Sequence, residues 1–377
     1  MRRTLALGDI HLTRNSPASV VADVARFFQE NTGARILFTG DVLDLSADAD
    51  AAVDMHPAVA KALATHLEGD GEVFWVAGNH DARVAAPEFA ARVAAALDLS
   101  TAAAARFHVS PWFFRIGGVH LEHGHRFDPD NAPAHPLVAD GPSLGVCFVE
   151  ELIVPTGAYA FLNANDGTPL DLFLNAFRWY GPRGPYVVAR FFTTAATALR
   201  RSGSGFDAQS QILEGSKRQN DFASAHGVDE NTLESLRGAG AIPTLASRRD
   251  TFSRLYLDRV AASLALLGGG AAFAFGAKKS GVAAALLGGL LMGASWSRGH
   301  DRYGGAVAER LARGAEATAR LTGDPLVVFG HSHRAEENRL YANPGSFAFA
   351  KGLPGRPFLE IEDADGPRPR AVLRHFV

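Results

Sequence analysis

Five short polar motifs constrain the fold of this chain more than any other feature of its sequence. Each motif contains a glycine together with aspartate, asparagine or histidine. Each also ends or follows a predicted β-strand. The motifs are Gly8-Asp9-Ile10-His11, Gly40-Asp41-Val42-Leu43-Asp44, Gly78-Asn79-His80-Asp81, His123-Gly124-His125 and Gly330-His331-Ser332-His333. Ligands of open α/β sheets bind at the carboxyl ends of the strands, so we expect these side chains to converge.

Short β-like runs alternate with helical patterns over the N-terminal third of the chain. We predict strands at 4–7, 35–39, 72–77 and 119–122, and helices at 17–30, 57–67 and 87–97. Near the end of the chain, further strands are predicted at 326–329, 339–342 and 358–361. This alternation indicates a layered α/β fold.

The alternation breaks between residues 131 and 323. That region is rich in helix formers, aromatic residues and glycine-serine stretches. We therefore predict a core made of residues 1–130 and 324–377, interrupted by a long, mainly helical insertion at 131–323. A chain of 377 residues is long enough for one large domain with such an insertion.

Composition excludes several classes of protein. The single cysteine, Cys147, excludes a disulfide scaffold and a zinc site built from cysteines, and is expected to be a small buried hydrophobe. A net charge of -3 gives no general attraction to nucleic acid, so no nucleic-acid partner is expected. The first apolar run is too short for a signal peptide, and we expect the catalytic part in the cytosol.

The polar residues of the motifs are typical of metal ligands. Imidazole, carboxylate and amide groups suit Mn, Fe, Zn, Ni or Co, and do not select among them. Two metals about 3.5–4 Å apart can share one bridging carboxylate and clamp a phosphoryl group between them. The motifs therefore predict metal-assisted chemistry on phosphate.

With these five motifs in this order, the sequence resembles the calcineurin-like metallophosphoesterases. Asn343-Pro344-Gly345-Ser346 resembles a further turn of that family. The resemblance covers about residues 1–130 and 324–377. It implies a layered α/β/β/α sandwich, with the helical insertion and its apolar hairpin outside it. It also implies a hydrolase of phosphoester bonds that uses two divalent metal ions, with Mn first and Fe, Zn, Ni or Co as alternatives.

The resemblance also implies roles for individual residues. One metal would take Asp9, His11, Asp41 and His333, and the other would take Asp41, Asn79, His123 and His331, so that Asp41 bridges the two. His80 would face the phosphate as a general acid or charge stabiliser, with Asp81 orienting it. Asp44 is expected to support the site from behind the ligands.

Other polar residues have two readings. His125 is either a substrate contact or a buried, hydrogen-bonded histidine, and Arg126 is either a phosphate contact or a structural or exposed arginine. The histidines outside any ligand spacing are predicted to be structural or surface residues: His56, His66, His108, His135, His226 and His300.

Two uncharged segments lie within the predicted insertion. Residues 260–277 and 281–297 carry no charge, and Lys278 and Lys279 lie between them. A membrane-spanning helix needs roughly 20 apolar residues, with a range of about 17–25. We predict a membrane hairpin at 260–297. The alternative is a buried, alanine- and glycine-rich hairpin in a soluble cap.

Charges flanking the hairpin predict its orientation. Arginines lie on both sides of the segment, whereas only two lysines occupy its tip: the arginines are Arg248, Arg249, Arg254, Arg259, Arg298 and Arg302. The positive-inside rule then places both ends in the cytosol. We expect the protein at the cytoplasmic side of the cell membrane, with a cytoplasmic location as the alternative. Aromatic and arginine residues at 173–192 indicate either a membrane interface or an ordinary helical cap.

Three functions follow from these observations. The first is a membrane-associated, dinuclear-metal phosphoesterase acting on a lipid-linked or amphiphilic phosphoester or pyrophosphate. It is distantly similar to the UDP-2,3-diacylglucosamine hydrolases, but has His80 where those usually carry arginine, and a longer insertion. The second is a soluble phosphodiesterase or nuclease of the same fold. The third is a non-enzymatic scaffold, a class that normally loses ligands, whereas every expected ligand position is filled here.

Overall fold

The computed structural model describes residues 2–138, 141–158, 169–297, 299, 306–350 and 352–377. The chain forms two compact units. The first contains Met1–Val149, Asp207–Pro243 and Val307–Val377, and the second contains Glu150–Phe206 and Thr244–Ala306. Three stretches of the predicted insertion, residues 131–149, Asp207–Pro243 and residues 307–323, are thus part of the first unit.

Strands of the described residues all lie in the first unit. In chain order they are β1 (Thr4–Leu7), β2 (Arg35–Phe38), β3 (Glu72–Val76), β4 (Phe107–Ser110), β5 (Phe113–Ile116), β6 (Val119–Glu122), β7 (Leu326–Val328), β8 (Ala335–Glu337), β9 (Tyr341–Pro344), β10 (Arg356–Glu362) and β11 (Arg370–Phe376).

Helices occur in both units. In chain order they are α1 (Ala18–Glu30), α2 (Pro57–Glu68), α3 (Phe89–Ala96), α4 (Thr101–Ala104), α5 (Leu144–Phe148), α6 (Val154–Thr156), α7 (Pro169–Tyr180), α8 (Gly184–Arg201), α9 (Ala208–Ala225), α10 (Glu230–Gly238), α11 (Arg248–Arg254), α12 (Leu257–Ala274), α13 (Lys278–Ser297) and α14 (Ala306–Thr322). Short 3₁₀ turns, including His125–Phe127, and a π-helical turn at Val149–Ile153 lie between them.

Two sheets form the centre of the first unit. The six-stranded sheet has the order β11-β10-β1-β2-β3-β4, in which β1 to β4 run parallel and β10 runs antiparallel to β1. The five-stranded sheet has the order β5-β6-β7-β9-β8, with β6, β7 and β9 parallel. Because neighbouring strands run parallel, their carboxyl ends lie at one edge of each sheet. The polar motifs follow these carboxyl ends.

The two sheets pack face to face with helices outside them. Apolar side chains of both sheets, such as Leu37 and Leu121, share one buried cluster. The outer face of the six-stranded sheet packs against α1, α2 and α3, with Phe27 among the buried residues. The outer face of the five-stranded sheet packs against α14 through Leu311 and Ala315. This is the layered α/β/β/α sandwich that the resemblance implied.

In the second unit, α12 and α13 pack closely against each other along a seam of glycines. A side chain at Gly269 would meet the backbone of Ala285, and one at Gly288 would meet the backbone of Ala262. The pairing is antiparallel, because residues early in α12 face residues late in α13. By length and composition alone, both helices could cross a membrane.

The strand predicted at 339–342 lies two residues later, at Tyr341–Pro344. Asn338 explains this shift, because its side-chain oxygen accepts hydrogen bonds from the backbone N–H groups of Leu340 and Tyr341. That local turn occupies the residues that would otherwise begin the strand.

Candidate metal centre

The loops after β1 and β2 lie side by side and carry the first two motifs. Asp9 N donates to the Gly40 carbonyl oxygen at 3.1 Å, and His11 N donates to the Asp41 carbonyl oxygen at 2.9 Å. Several motif residues have left-handed backbones, with φ of 51° at Asp9, 50° at His11 and 51° at Asp41. Such conformations cost about 1–3 kcal/mol each and persist where surrounding contacts hold them. The contacts around these loops therefore hold a strained backbone, and with it one fixed arrangement of the motif side chains.

The first group of converging side chains consists of Asp9, His11 and His333. His333 Nε2 lies 3.2 Å from His11 Nε2 and 3.3 Å from Asp9 Oδ1. Two ligand atoms of one tetrahedral ion, each about 2.0–2.2 Å from it, lie roughly 3.3 Å from each other. The spacing of these three side chains therefore fits a single metal ion.

The second group consists of Asp41, Asn79, His123 and His331. His123 Nε2 lies 3.3 Å from Asp41 Oδ2 and 3.1 Å from Asn79 Oδ1. One possible ligand atom each from Asp41, His123 and His331 fall within 4.8 Å of one another. Asp41 also falls in a group with His11 and His80, so its carboxylate faces histidines on two sides.

The two central carboxylates are suited to holding cations. Asp9 and Asp41 are both fully buried, and within the described part of the chain histidines are the only cationic side chains within ion-pair distance of them. Burial alone would raise the pKa of Asp41, but the facing His123 and His80 hold it well below its usual range. Buried charges need paired or coordinated partners, and this donor set suits divalent transition metals without selecting one.

His123 is oriented by the backbone behind it. Its Nδ1 donates to the Thr39 carbonyl oxygen at 2.7 Å, so Nε2 is the ring atom that faces Asp41 and that, in the neutral ring, would carry the lone pair for a metal. Gly40 has a φ of 98°, and a Cβ there would lie 2.5 Å from His123 Nδ1. Glycine at this position therefore serves both the turn and the close approach of the histidine ring.

The third motif differs from its predicted arrangement in one contact. His80 Nδ1 lies 3.0 Å from Asp44 Oδ1, so Asp44, and not Asp81, orients the His80 ring. Asp81 instead accepts hydrogen bonds from Val42 N, Gly78 N and Trp75 Nε1. These side-chain hydrogen bonds close the turn between β3 and His80. The predicted role of Asp81 in orienting His80 is corrected accordingly.

His80 is set up to carry a proton. Burial alone would lower its pKa, but the carboxylates of Asp44 and Asp41 outweigh burial and raise the pKa to about 10. Asp44 itself also faces His11, with Oδ2 3.6 Å from His11 Nδ1. These carboxylates therefore favour the protonated His80 ring, with Nδ1 directed to Asp44 and Nε2 remaining for a ligand.

His125 and Arg126 lie in a 3₁₀ turn, because Gly124 ends the extended segment with a φ of 93°. His125 is buried, and its Nδ1 has no hydrogen-bond partner among the described residues. Burial, together with the charges of His123 and His331, lowers the pKa of His125 to about 3, so this ring stays neutral.

Arg126 is a structural residue in this fold. It is buried, forms an ion pair with Glu122, and donates to the Leu236 carbonyl oxygen and to Thr318 Oγ1. These contacts fix the end of β6 to α10 and α14. Because its donors are engaged in this way, the reading of Arg126 as a phosphate contact is not supported by its position.

Two residues at the site were missed in the sequence, Asp128 and Asn131. Asp128 contacts His331, and Asn131 contacts Asn79. Asp128-Pro129-Asp130-Asn131 follows the fourth motif closely, but in a sequence such a run indicates only a turn. Of the other predicted histidines, His56 lies with its Nε2 2.8 Å from the Thr13 carbonyl oxygen, outside the motifs. His300 lies outside the described residues.

Comparison with known proteins gives one family. The family model for calcineurin-like phosphoesterases matches residues 2–194, slightly more than half of the chain. No curated protein matches the sequence, so the similarity to the UDP-2,3-diacylglucosamine hydrolases stays a prediction. The family consists of phosphoester hydrolases that bind divalent metals, in agreement with the clusters of potential ligands. The chain therefore belongs to the calcineurin-like phosphoesterase family.

Proposed function

We propose that this chain hydrolyses phosphoesters with two divalent metals held by Asp9, His11, Asp41, Asn79, His123, His331 and His333. The observation that carries this proposal is Asp41, a fully buried carboxylate that converges with His11 in one group of side chains and with His123 and His331 in another. One bridging carboxylate between two groups of histidines is the arrangement that a dinuclear centre needs.

Bound at these residues, the metals supply Lewis acidity to the phosphoryl oxygens and lower the pKa of water for attack. The protein holds the reacting groups in position and supplies the proton. Protonated His80, held through Nδ1 by Asp44, has Nε2 remaining to donate to the leaving oxygen or to stabilise phosphoryl charge. Asp81 fixes the loop that carries His80 and has no direct role in proton transfer.

A direct assay tests this proposal. We expect protein stripped by a chelator to be inactive towards bis(p-nitrophenyl) phosphate, and Mn²⁺ to restore hydrolysis. Failure to hydrolyse this and other phosphoesters with Mn, Fe, Zn, Ni and Co alike would contradict it. A panel of phospholipids, nucleotide-linked lipids, nucleotides and nucleic acids then ranks the substrate classes, with the nucleic acids testing the nuclease alternative.

We further propose that α12 and α13 form a hairpin in the membrane. At 1.5 Å per residue, these helices of 18 and 20 residues are about 27–30 Å long, close to the roughly 30 Å of bilayer hydrocarbon. Large apolar side chains outside the glycine seam are exposed, including Leu267 at 72% and Leu290 at 73%. A soluble helical hairpin rarely exposes so many leucines, whereas lipid covers them.

Both ends of this hairpin carry groups that suit a membrane boundary. At the base, Arg259 lies over the rings of Tyr256 and Trp296 and donates to Ser295 Oγ. At the tip, Lys278 and Lys279 are exposed. Aromatic and cationic residues favour the interface. The larger number of arginines near the base supports the base on the cytoplasmic side, although Arg298 and Arg302 of this set lie outside the described residues.

Helices α7 and α8, in the same unit, supply a second apolar surface. Phe173, Phe177 and Trp179 of α7 are exposed, as are Tyr186 and Phe192 of α8. An exposed aromatic surface on an amphipathic helix is suited to the lipid headgroup region. This apolar surface supports contact of α7 and α8 with the membrane surface, in addition to the insertion of the hairpin.

A lipid-linked or amphiphilic phosphoester or pyrophosphate is the substrate that we propose. A hairpin in the bilayer would confine the catalytic unit, which belongs to the same chain, to the membrane surface. Within the catalytic unit, Phe349 is 41% exposed and its ring stacks on His333, 5.7 Å between centroids. An exposed aromatic ring beside a proposed metal ligand offers an apolar contact to the non-phosphate part of such a substrate.

Deletion of the hairpin tests the membrane proposal. We expect the full chain to sediment with membranes and to resist high salt, which releases proteins held by surface charge alone. Deleting residues 260–297 should yield a soluble protein that keeps hydrolysis of bis(p-nitrophenyl) phosphate but loses most activity on phosphoesters embedded in vesicles.

Two outcomes would contradict this proposal. A full chain that is soluble without detergent as a monomer would show that lipid does not cover the leucines. A soluble dimer that dissociates on hairpin deletion would show that a second copy covers them instead. Neither outcome would contradict the proposal that the chain hydrolyses phosphoesters.

A further inference from the structure

A chain of hydrogen bonds joins two ligands that we propose for the same metal. Asp128 Oδ2 lies 3.1 Å from His331 Nε2 and accepts from Asn131 Nδ2 at 2.8 Å. Asn131 Oδ1 in turn accepts from Asn79 Nδ2 at 3.2 Å. His331 follows β7 and Asn79 follows β3, so this chain connects loops from the two different sheets.

We infer that Asp128 and Asn131 are positioning residues that select the metal-facing atoms of His331 and Asn79. This inference rests on the ligand set of the proposed function. A carboxylate can only accept, so His331 Nε2 donates to Asp128 and, in the neutral ring, Nδ1 carries the lone pair for a metal. Asn79 uses its amide N–H to reach Asn131, so its Oδ1, 3.1 Å from His123 Nε2, is the atom that faces the site.

Asp128 is also held in place by contacts other than the one to His331. It is buried, and its other oxygen, Oδ1, accepts from Asp130 N at 3.2 Å and lies 4.0 Å from the Arg310 guanidinium. Both carboxylate oxygens therefore have partners in the protein. A carboxylate held in this way orients the histidine, rather than following its movement.

Gly145 provides independent support for the position of Asn131. It lies in α5, where glycine is a poor helix former, and its N donates to the Asp130 carbonyl oxygen at 2.9 Å. A Cβ at Gly145 would overlap Asn131 Oδ1. The absence of a side chain at Gly145 therefore leaves the space that the Asn131 amide occupies.

Metal binding by holoprotein variants tests the inference. Asp128→Leu removes the hydrogen bonds to His331 and Asn131 together with the one from Asp130 N. Gly145→Ala displaces Asn131 without removing any polar group. In each variant we expect one of two Mn²⁺ sites to weaken about 10–100-fold, with the other unchanged. The electron paramagnetic resonance signal of a coupled Mn²⁺ pair should give way to that of a single ion. Asp128→Asn, which can still accept from His331, should restore part of the affinity.

A buried carboxylate away from the site serves as the matched control. Asp324 is buried and pairs with Arg115, so Asp324→Asn should bind two Mn²⁺ as the wild type does. Unchanged Mn²⁺ affinity in Asp128→Leu and Gly145→Ala would overturn the inference, and so would equal weakening of both sites. A wild-type chain that binds no Mn²⁺ pair and hydrolyses nothing would instead contradict the proposed function.

Discussion

Replacing Asp41 by asparagine should abolish metal-dependent hydrolysis while leaving the fold intact. The change keeps the size of the side chain but removes the one charge shared by the two proposed metal sites, so both sites weaken together. We expect a loss larger than the about 10²–10⁴-fold that removal of a general acid or base costs. Hydrolysis of bis(p-nitrophenyl) phosphate and metal content per chain measure the effect.

The control for Asp41→Asn is Asp324→Asn, which also neutralises a buried carboxylate of the first unit. Asp324 pairs with Arg115 and lies outside both ligand groups. It should keep activity and both metals. Full activity in Asp41→Asn with two metals bound would remove Asp41 from the bridging position.

Replacing His80 by alanine should slow turnover about 10²–10⁴-fold while both metals remain bound. The proposed role of His80 is to hold a proton near the phosphate, and Asp44 raises its pKa for that purpose. Asp44→Asn keeps a hydrogen-bond acceptor but removes the charge, so its loss of turnover should be smaller than that of His80→Ala.

Metal content decides between a proton donor and a metal ligand at this position, because His80 also falls in a group with His11 and Asp41. If His80→Ala loses a metal, His80 is a ligand and the proposed set of seven is incomplete. His56→Ala serves as the control, because this histidine contacts the Thr13 carbonyl oxygen instead of the motifs.

The sequence predicted the central strands of the fold well. The runs that became β1 and β6 have the predicted limits, and those of β2 and β3 end only one residue earlier. Each is a short apolar run followed by a glycine-containing motif, so strand and loop signals agree locally. The strands that were missed, such as β8 with Ala335–Glu337 and β11 with Arg370–Phe376, lie at sheet edges. Edge strands tolerate charged residues, which hides the β pattern.

Side-chain partners at the site were harder to predict than the motifs themselves. Asp81 is next to His80 in the chain, yet Asp44 contacts the His80 ring because the turn directs Asp81 towards backbone donors. Asp128 reaches His331 across 203 positions of the chain. Such pairings depend on how loops from different strands meet, and neither periodicity nor motif spacing carries that information.

Anomalous diffraction from crystals containing Mn²⁺ would show directly whether two metals share Asp41. We expect two peaks about 3.5–4 Å apart with the Asp41 carboxylate between them. One peak should lie among Asp9, His11 and His333, and the other among Asn79, His123 and His331. A single peak, or two peaks that do not share Asp41, would contradict the proposed dinuclear centre.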